Sequence, residues 1–226
     1  RIAMLQRFAH ELPARATVAE VEAGLDVIER TPRRYPGWML VPLVALACAS
    51  IAVLSNGGVR EVLAVLPASA LAYALHRWLT RLQLNHLAVV LTSAAVASGL
   101  YVAVAGLITA VVGSPSPRLA AGFICASIFL IPGFPLVTAG LDLTRLDLDT
   151  GLPRLTYAAM VVLAIAIGVW LVAAVSGISP DPVGVLTGHP VLIWSAWVAA
   201  SFFAVFGWAT MFNVPPRTAV VSGVVS

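Results

Sequence analysis

Two prolines with a glycine between them, in Ile131-Pro132-Gly133-Phe134-Pro135-Leu136, interrupt an apolar stretch that runs on to a carboxylate, Asp142, and then to Arg145 and Arg154. A proline inside a helix removes one backbone hydrogen bond and crowds the carbonyl four residues back, at a cost of roughly 3 kcal/mol. In lipid nothing outside the protein satisfies the freed groups, so irregular backbone at that depth must face protein or a wet cavity. With Pro135 as the first residue of a second half-helix, the N–H groups of Leu136, Val137 and Thr138 would point into the break with the positive end of the helix dipole. That is a seat for a carboxylate. The freed carbonyls of Ile128 and Ile131 would face the same gap and could take an ammonium group. An amino acid carries both charges. The plain alternative is a kink without a ligand, and the two readings stand level.

Asp142 lies seven residues past Pro135, about 10 Å along a helix, which puts it at the mouth of the span. It can bind a substrate ammonium group or carry a coupling proton, or it can pair with Arg145 one turn on. Asp147, Asp149 and Gly151 resemble the start of a calcium loop, but Leu146, Leu148 and Leu152 intervene and later acidic ligands are missing, so a solvated turn is the better reading. Glu61, His76, His86 and His189 all fall at span ends and read as interface residues rather than relays. No serine-nucleophile motif, metal-binding histidine pair or phosphate loop stands in the sequence, which argues against an enzyme, a metal or a cofactor. Cys48 and Cys125 sit in apolar windows and behave as small hydrophobes.

The elements that must position these residues follow from composition. Of 226 residues, 60% are hydrophobic and 10% charged, and several windows exceed the roughly 20 apolar residues that cross a bilayer. The expected fold is all-α: a polytopic helical membrane protein with six complete spans and the start of a seventh. The spans are expected at Trp38–Leu54, Val62–Leu79, His86–Val112, the broken Leu119–Leu141, Leu155–Val175 and Pro190–Phe212, with the seventh from Thr218. The polar segment Asp142–Arg154 is expected to separate spans four and five. Ala95, Gly99 and Ala103, and Ala196, Ala200 and Ala204, give four-residue small spacings that let helices approach closely.

Before Trp38, Thr17-x-x-Glu20 forms a capping box ahead of an amphipathic helix carrying Val18, Val21, Leu25 and Ile28 on one face, ended by Pro32 and Pro36. Four regions follow: a cytoplasmic segment 1–37, a five-span half 38–176, an extracytoplasmic connector 177–189, and 190–226 as the start of a second half. The chain opens on Arg1 and stops in an apolar run, so it reads as part of a longer one.

All the basic residues are arginine, and the net charge of +3 is too small and scattered for nucleic-acid binding. With the amino terminus inside, eleven arginines fall on the inner side and two, Arg60 and Arg118, on the outer. That is the asymmetry expected of cytoplasmic loops. Five spans before a long connector would also let a second half enter inverted, as in repeat-built transporters.

The run from Ile131 through Asp142-Leu143, followed by Asp149-Thr-Gly-Leu-Pro-Arg154, resembles the signature of threonine/serine exporters of the ThrE type, a Pro-Gly element leading to Asp-Leu and then Gly-x-x-Arg. Arg34-Tyr-Pro-Gly-Trp38, the Asn56-Gly-Gly58 turn and Phe212-Asn-Val-Pro-Pro-Arg217 fit the same pattern. The resemblance implies an inner-membrane exporter of threonine and serine driven by the proton motive force. The broken span read above then supplies the expected substrate site, at Pro132, Gly133, Phe134, Pro135, Thr138 and Asp142. Asp142, Arg145, Arg154 and Glu61 are the proton or ion-pair candidates. Pro153, before Arg154, departs from the pattern. Partners would be the small solute, protons and the lipid bilayer, with homo-oligomers allowed; the alternatives are export of another small carboxylate, or a passive channel or pore component.

Overall fold

The computed structural model describes residues 8–12, 16–30, 34–114, 116–178 and 188–226, and every regular element among them is helical. The chain divides into two units, residues 1–36 and 37–226. In the first, α1 (Val18–Arg30) starts on the expected reciprocal cap. The Thr17 N–H donates to Glu20 Oε2 at 2.8 Å and the Glu20 N–H to Thr17 Oγ1 at 3.4 Å. The bonds from Thr17 hold the Glu20 carboxyl below its usual range.

The second unit contains α2 (Gly37–Leu54), α3 (Val59–Arg81), α4 (His86–Val112), α5 (Leu119–Cys125), a 3-10 turn (Ile128–Leu130), α6 (Gly133–Thr144), α7 (Leu148–Ser176), α8 (Pro190–Met211) and α9 (Pro216–Val225). α2, α3, α4, α7 and α8 are each long and apolar enough to cross a bilayer. The pair Leu119–Leu130 and Gly133–Thr144, bent by 73°, makes a sixth if its halves form one span. The chain is a polytopic helical membrane protein. The expected seventh run begins as α9, while most of the connector 177–189, and the expected helix-ending Pro32, lie outside the described residues.

The polar segment Asp142–Arg154 does not part spans four and five as a loop. α6 continues to Thr144 and α7 starts at Leu148, leaving a three-residue turn. The turn closes as a Schellman motif, with Leu146 N–H donating to Leu143 O and Asp147 N–H to Asp142 O, both at 3.0 Å, and Leu146 at φ 59°. Asp147 then caps α7, its Oδ1 accepting the Thr150 N–H at 3.4 Å. The same closure ends α2 at Asn56 and α8 at Asn213, where asparagine tolerates the left-handed conformation better than leucine does.

In space the helices follow the order α9, α8, α2, α3, α4, α7, α6, each packed on the next, with α5 against α2, α3 and α4. Small residues set the closest approaches. A Cβ at Gly207 of α8 would lie 2.8 Å from the Leu43 carbonyl oxygen of α2, and one at Gly168 of α7 would lie 2.6 Å from the Leu91 oxygen of α4. Of the expected small stripes, Ala200 and Ala204 are buried in line with Gly207 while Ala196 is exposed. On α4 the stripe is shifted. Its buried face runs through Ser93, Ala94, Ala97, Ser98 and Tyr101, and Gly99 has open space around it.

Candidate functional site

Pro132 explains the break locally. A residue before proline is pushed out of the helical region, and Ile131 is accordingly extended at φ −61°, ψ 126°. The chain keeps its hydrogen bonds short-range through the bend. Leu130 N–H donates to Ser127 O, Ile131 N–H to Ile128 O and Gly133 N–H to Ile131 O. The carbonyls of Ile128 and Ile131, expected to be freed into the gap, are therefore both taken.

The half-helix also starts earlier than the spacing suggested. α6 begins at Gly133, so Pro135 is its third residue, where its missing N–H still costs nothing. Leu136 N–H donates to Pro132 O at 3.1 Å as the first helical bond. The donors of Leu136, Val137 and Thr138 thus lie inside the helix. The first-turn N–H without an acceptor among the described residues is that of Phe134, whose ring is half exposed. Thr138 turns its hydroxyl back to the Phe134 and Pro135 carbonyls at 2.9 and 3.1 Å, leaving its oxygen lone pairs to accept. Space is open here: a Cβ on Gly133 or Gly140 would meet nothing within 4 Å.

Asp142, at the far end of α6, is paired with Arg154 of α7, with Arg154 Nη1 2.5 Å from Asp142 Oδ2. Arg145, the expected partner, is exposed and closes α6 through its backbone N–H. The choice follows from the short turn, which folds α7 back along α6 so that residues twelve apart face each other. Gly151 lets this happen, since a Cβ there would meet the Leu143 side chain at 2.9 Å. Pro153 is the sixth residue of α7, which stays helical through it while lacking the N–H that would have bonded the Asp149 carbonyl.

The other ionisable candidates lie away from this hairpin. Glu61 is buried at 2% exposure and accepts the Gly58 N–H at 2.7 Å, tying down the start of α3. His86 stacks on Tyr157 and shares a 2.9 Å hydrogen bond with its hydroxyl, linking α4 to α7. His76 is not a bare interface residue. Its Nδ1 lies 3.1 Å from Ser93 Oγ of α4 and its ring 6.2 Å from that of Phe129, in the 3-10 turn before the break. The signal was present in the spacing: Val65, Ser69, Ala72 and His76 recur at three and four residues, and the first three are fully buried.

Behind the bend, α5 and the 3-10 turn part from α7 and leave an apolar cavity of about 650 Å³, lined by Phe123, Ile128, Ile131, Ile165 and Trp170 among others. It offers a small polar solute little, since Ser127 is the one hydroxyl-bearing side chain among the described residues of its lining. Among the described residues no three histidine, cysteine or acidic side chains gather as metal ligands. The polar resources of the broken span are therefore the Phe134 N–H end of α6, the Thr138 hydroxyl and the Asp142–Arg154 pair, on one half-helix and its neighbour.

Comparison with known proteins leads to membrane transporters. Over 150 residues, covering 65% of this chain and 55% of theirs, it is 32% identical to a protein of Klebsiella aerogenes named "Probable succinate transporter subunit YjjP". A protein of the same name from Escherichia coli is 29% identical over 150 residues, 56% of its length. The chain thus aligns with about half the length of these curated relatives. No solved structure matches it. The family described as "Putative threonine/serine exporter" matches residues 1–176, which include the broken span, the Asp142–Arg154 pair and all of α7. The chain belongs to that exporter family.

Proposed function

We propose that the chain is the solute-binding part of a secondary transporter that exports small hydroxy amino acids, threonine and serine, across the cytoplasmic membrane in exchange for protons. The observation that carries this is the start of α6. The Phe134 N–H, at the positive end of a half-helix, opens onto unfilled space beside Gly133 at a bend in an otherwise apolar pair of helices. A carboxylate placed there gains a hydrogen bond and the helix dipole. The Thr138 hydroxyl, one turn along, suits a hydroxyl-bearing substrate. Asp142 and Arg154 form the entrance, where their pairing can be exchanged for contacts with a substrate's ammonium and carboxylate groups. By the arginine count, that entrance and the amino terminus face the cytoplasm. A second copy or a second subunit completes the pathway, in keeping with the word "subunit" in the relatives' names.

The test is efflux of threonine and serine from loaded cells carrying the full-length protein at matched expression. Asp142→Asn and Pro132→Ala are each expected to cut efflux by about tenfold or more, the usual scale when a buried polar contact is lost. Unchanged efflux in both removes the site.

A second reading has its own support. The curated relatives are named for succinate, and a dicarboxylate would use the Phe134 N–H end for one carboxylate and Arg154 for the other. Running succinate in parallel decides between them: succinate efflux without threonine efflux makes the chain a dicarboxylate exporter. Transport that persists after the proton gradient is collapsed makes it a passive pore.

A further inference from the structure

The turn before the break rests on α3 through aromatic contacts. The Phe129 ring meets Tyr73 edge-on at 5.5 Å and His76 at 6.2 Å. On the other side of His76, Nδ1 is 3.1 Å from Ser93 Oγ, and Ser93 Oγ is itself 2.6 Å from the Val89 carbonyl oxygen. A carbonyl only accepts, so the single hydroxyl hydrogen of Ser93 goes to Val89. The Ser93 oxygen is then an acceptor, and the hydrogen in its bond to His76 belongs to Nδ1. The neutral ring therefore carries its open lone pair at Nε2. That is where a proton is taken up.

The charged and titratable groups around the ring are few. On its own helix stand Arg77, whose guanidinium lies 5.9 Å from the Tyr73 ring centroid and against Gly37, and Arg81 one turn further. From α4 comes His86, which acts on His76 electrostatically and is bonded to Tyr157 of α7. α2 contributes Cys48 and α5 contributes Cys125, both buried thiols. None of these is a carboxylate, and Asp142 is already matched by Arg154. A proton on Nε2 thus creates a cation with no carboxylate beside it among the described residues, next to the ring that supports the broken span. In an apolar setting such a charge favours either a shift of that support or the arrival of an anion.

We propose that His76 is the proton-carrying residue of the transport cycle: it takes up a proton at Nε2 and later returns it from the same atom, and while charged it acts on the broken span by displacing the Phe129 ring that packs on it. Exchange follows if the two loads exclude one another: the shift of Phe129 on protonation opens the break and releases the solute, and a seated solute holds the ring neutral. This rests on the transport reading above and adds to it a proton site that lies off the Asp142–Arg154 hairpin.

Two measurements test it. In proteoliposomes holding the full-length protein and loaded with threonine or succinate, His76→Gln keeps a donor for Ser93 but cannot be charged. Gradient-driven transport is expected to fall about tenfold or more while solute exchange without a gradient stays within about threefold, because only the proton step is removed. Driven transport as strong as in the native protein, or equal loss of both activities in a folded variant, overturns the proposal. A native protein that moves neither solute overturns the transport reading and with it this role. The second measurement needs no transport: nuclear magnetic resonance of isotopically labelled histidine in the full-length protein, with the His76 signal identified by its absence in His76→Gln. The neutral ring is expected in the Nδ1–H form, with a protonated signal appearing as the pH is lowered while the protein stays folded. An Nε2–H ring, or one that never shows the protonated signal, overturns the proton site even where transport is seen.

Discussion

Where α4 meets α7 and α8 meets α2, the helices touch through glycines whose missing Cβ leaves carbonyl oxygens under 3 Å away. Along α6, by contrast, Ala139 is the buried residue, and Phe134, Val137 and Leu141 remain half exposed or more. One region has no room to move and the other has little to hold it. Interdigitated packing resists displacement because each lost contact costs dispersion energy, while a helix that packs on one neighbour, α7, and leaves its other faces exposed has fewer contacts to lose. The difference suits a scaffold that carries a moving half-helix.

The contrast breaks most readily at its glycines. Gly168→Val is expected to cost about 3 kcal/mol, since the new side chain must part α7 from the α4 backbone. Gly133→Ala, with open space around it, is expected to change stability by less than about 1 kcal/mol, and in the favourable direction. Thermal unfolding of both purified variants checks this, and equal losses would erase the distinction between the two regions. Next in size is Glu61→Ala, which leaves the buried start of α3 without its acceptor for Gly58 and is expected to cost about 2 kcal/mol. Glu61→Gln keeps an acceptor oxygen and is expected to recover most of that loss. If both variants instead leave stability intact and abolish proton-driven transport, Glu61 belongs to the moving region.

Leu146→Gly addresses the turn between α6 and α7. The leucine holds φ 59° at 82% exposure, so glycine is expected to stabilise the hairpin by about 1 kcal/mol. A destabilised hairpin would mean that the leucine side chain itself holds the turn. The smallest effect lies outside both regions, at the α1 cap. Glu20 has a folded-state affinity for protons lowered by its bonds from Thr17. Its contribution is therefore present above the unfolded carboxyl range and lost as pH falls through the folded one. Protection of the Thr17 N–H against hydrogen exchange, relative to the intrinsic rate at each pH, is expected to fall over that acid range, and Thr17→Ala to weaken the dependence; the helices beyond Gly37 should show no matching change.

The spans were legible because their apolar runs leave few other structures possible, and the bend was legible because Pro132 dictates Ile131. Polarity misled where it was read as loop. Asp142 to Arg154 is charged, yet Asp147 caps α7 and the Schellman closure needs only three residues, so helix fills most of the segment. The pairing of Asp142 with Arg154 depends on how tightly the chain folds back, which spacing alone does not state; spacing favoured Arg145. His76 is the opposite case. Its place in a buried stripe was visible at three- and four-residue intervals, but its position near the end of α3 drew attention to the interface instead.

The bend also bears on how the chain enters the bilayer. The two stretches on either side of Pro132, Leu119–Leu130 and Gly133–Thr144, each fall well short of the roughly 20 residues that commit a helix to lipid. Neither is long enough to partition by itself. α6 has a long neighbour in α7, joined by three residues and locked by the Asp142–Arg154 pair, so the two are suited to insertion as a single hairpin. α5 then has to wait for α2, α3 and α4 to form the surface it rests on. The same proline that opens the helix thus leaves the first half of the broken span dependent on α2, α3 and α4 for its place.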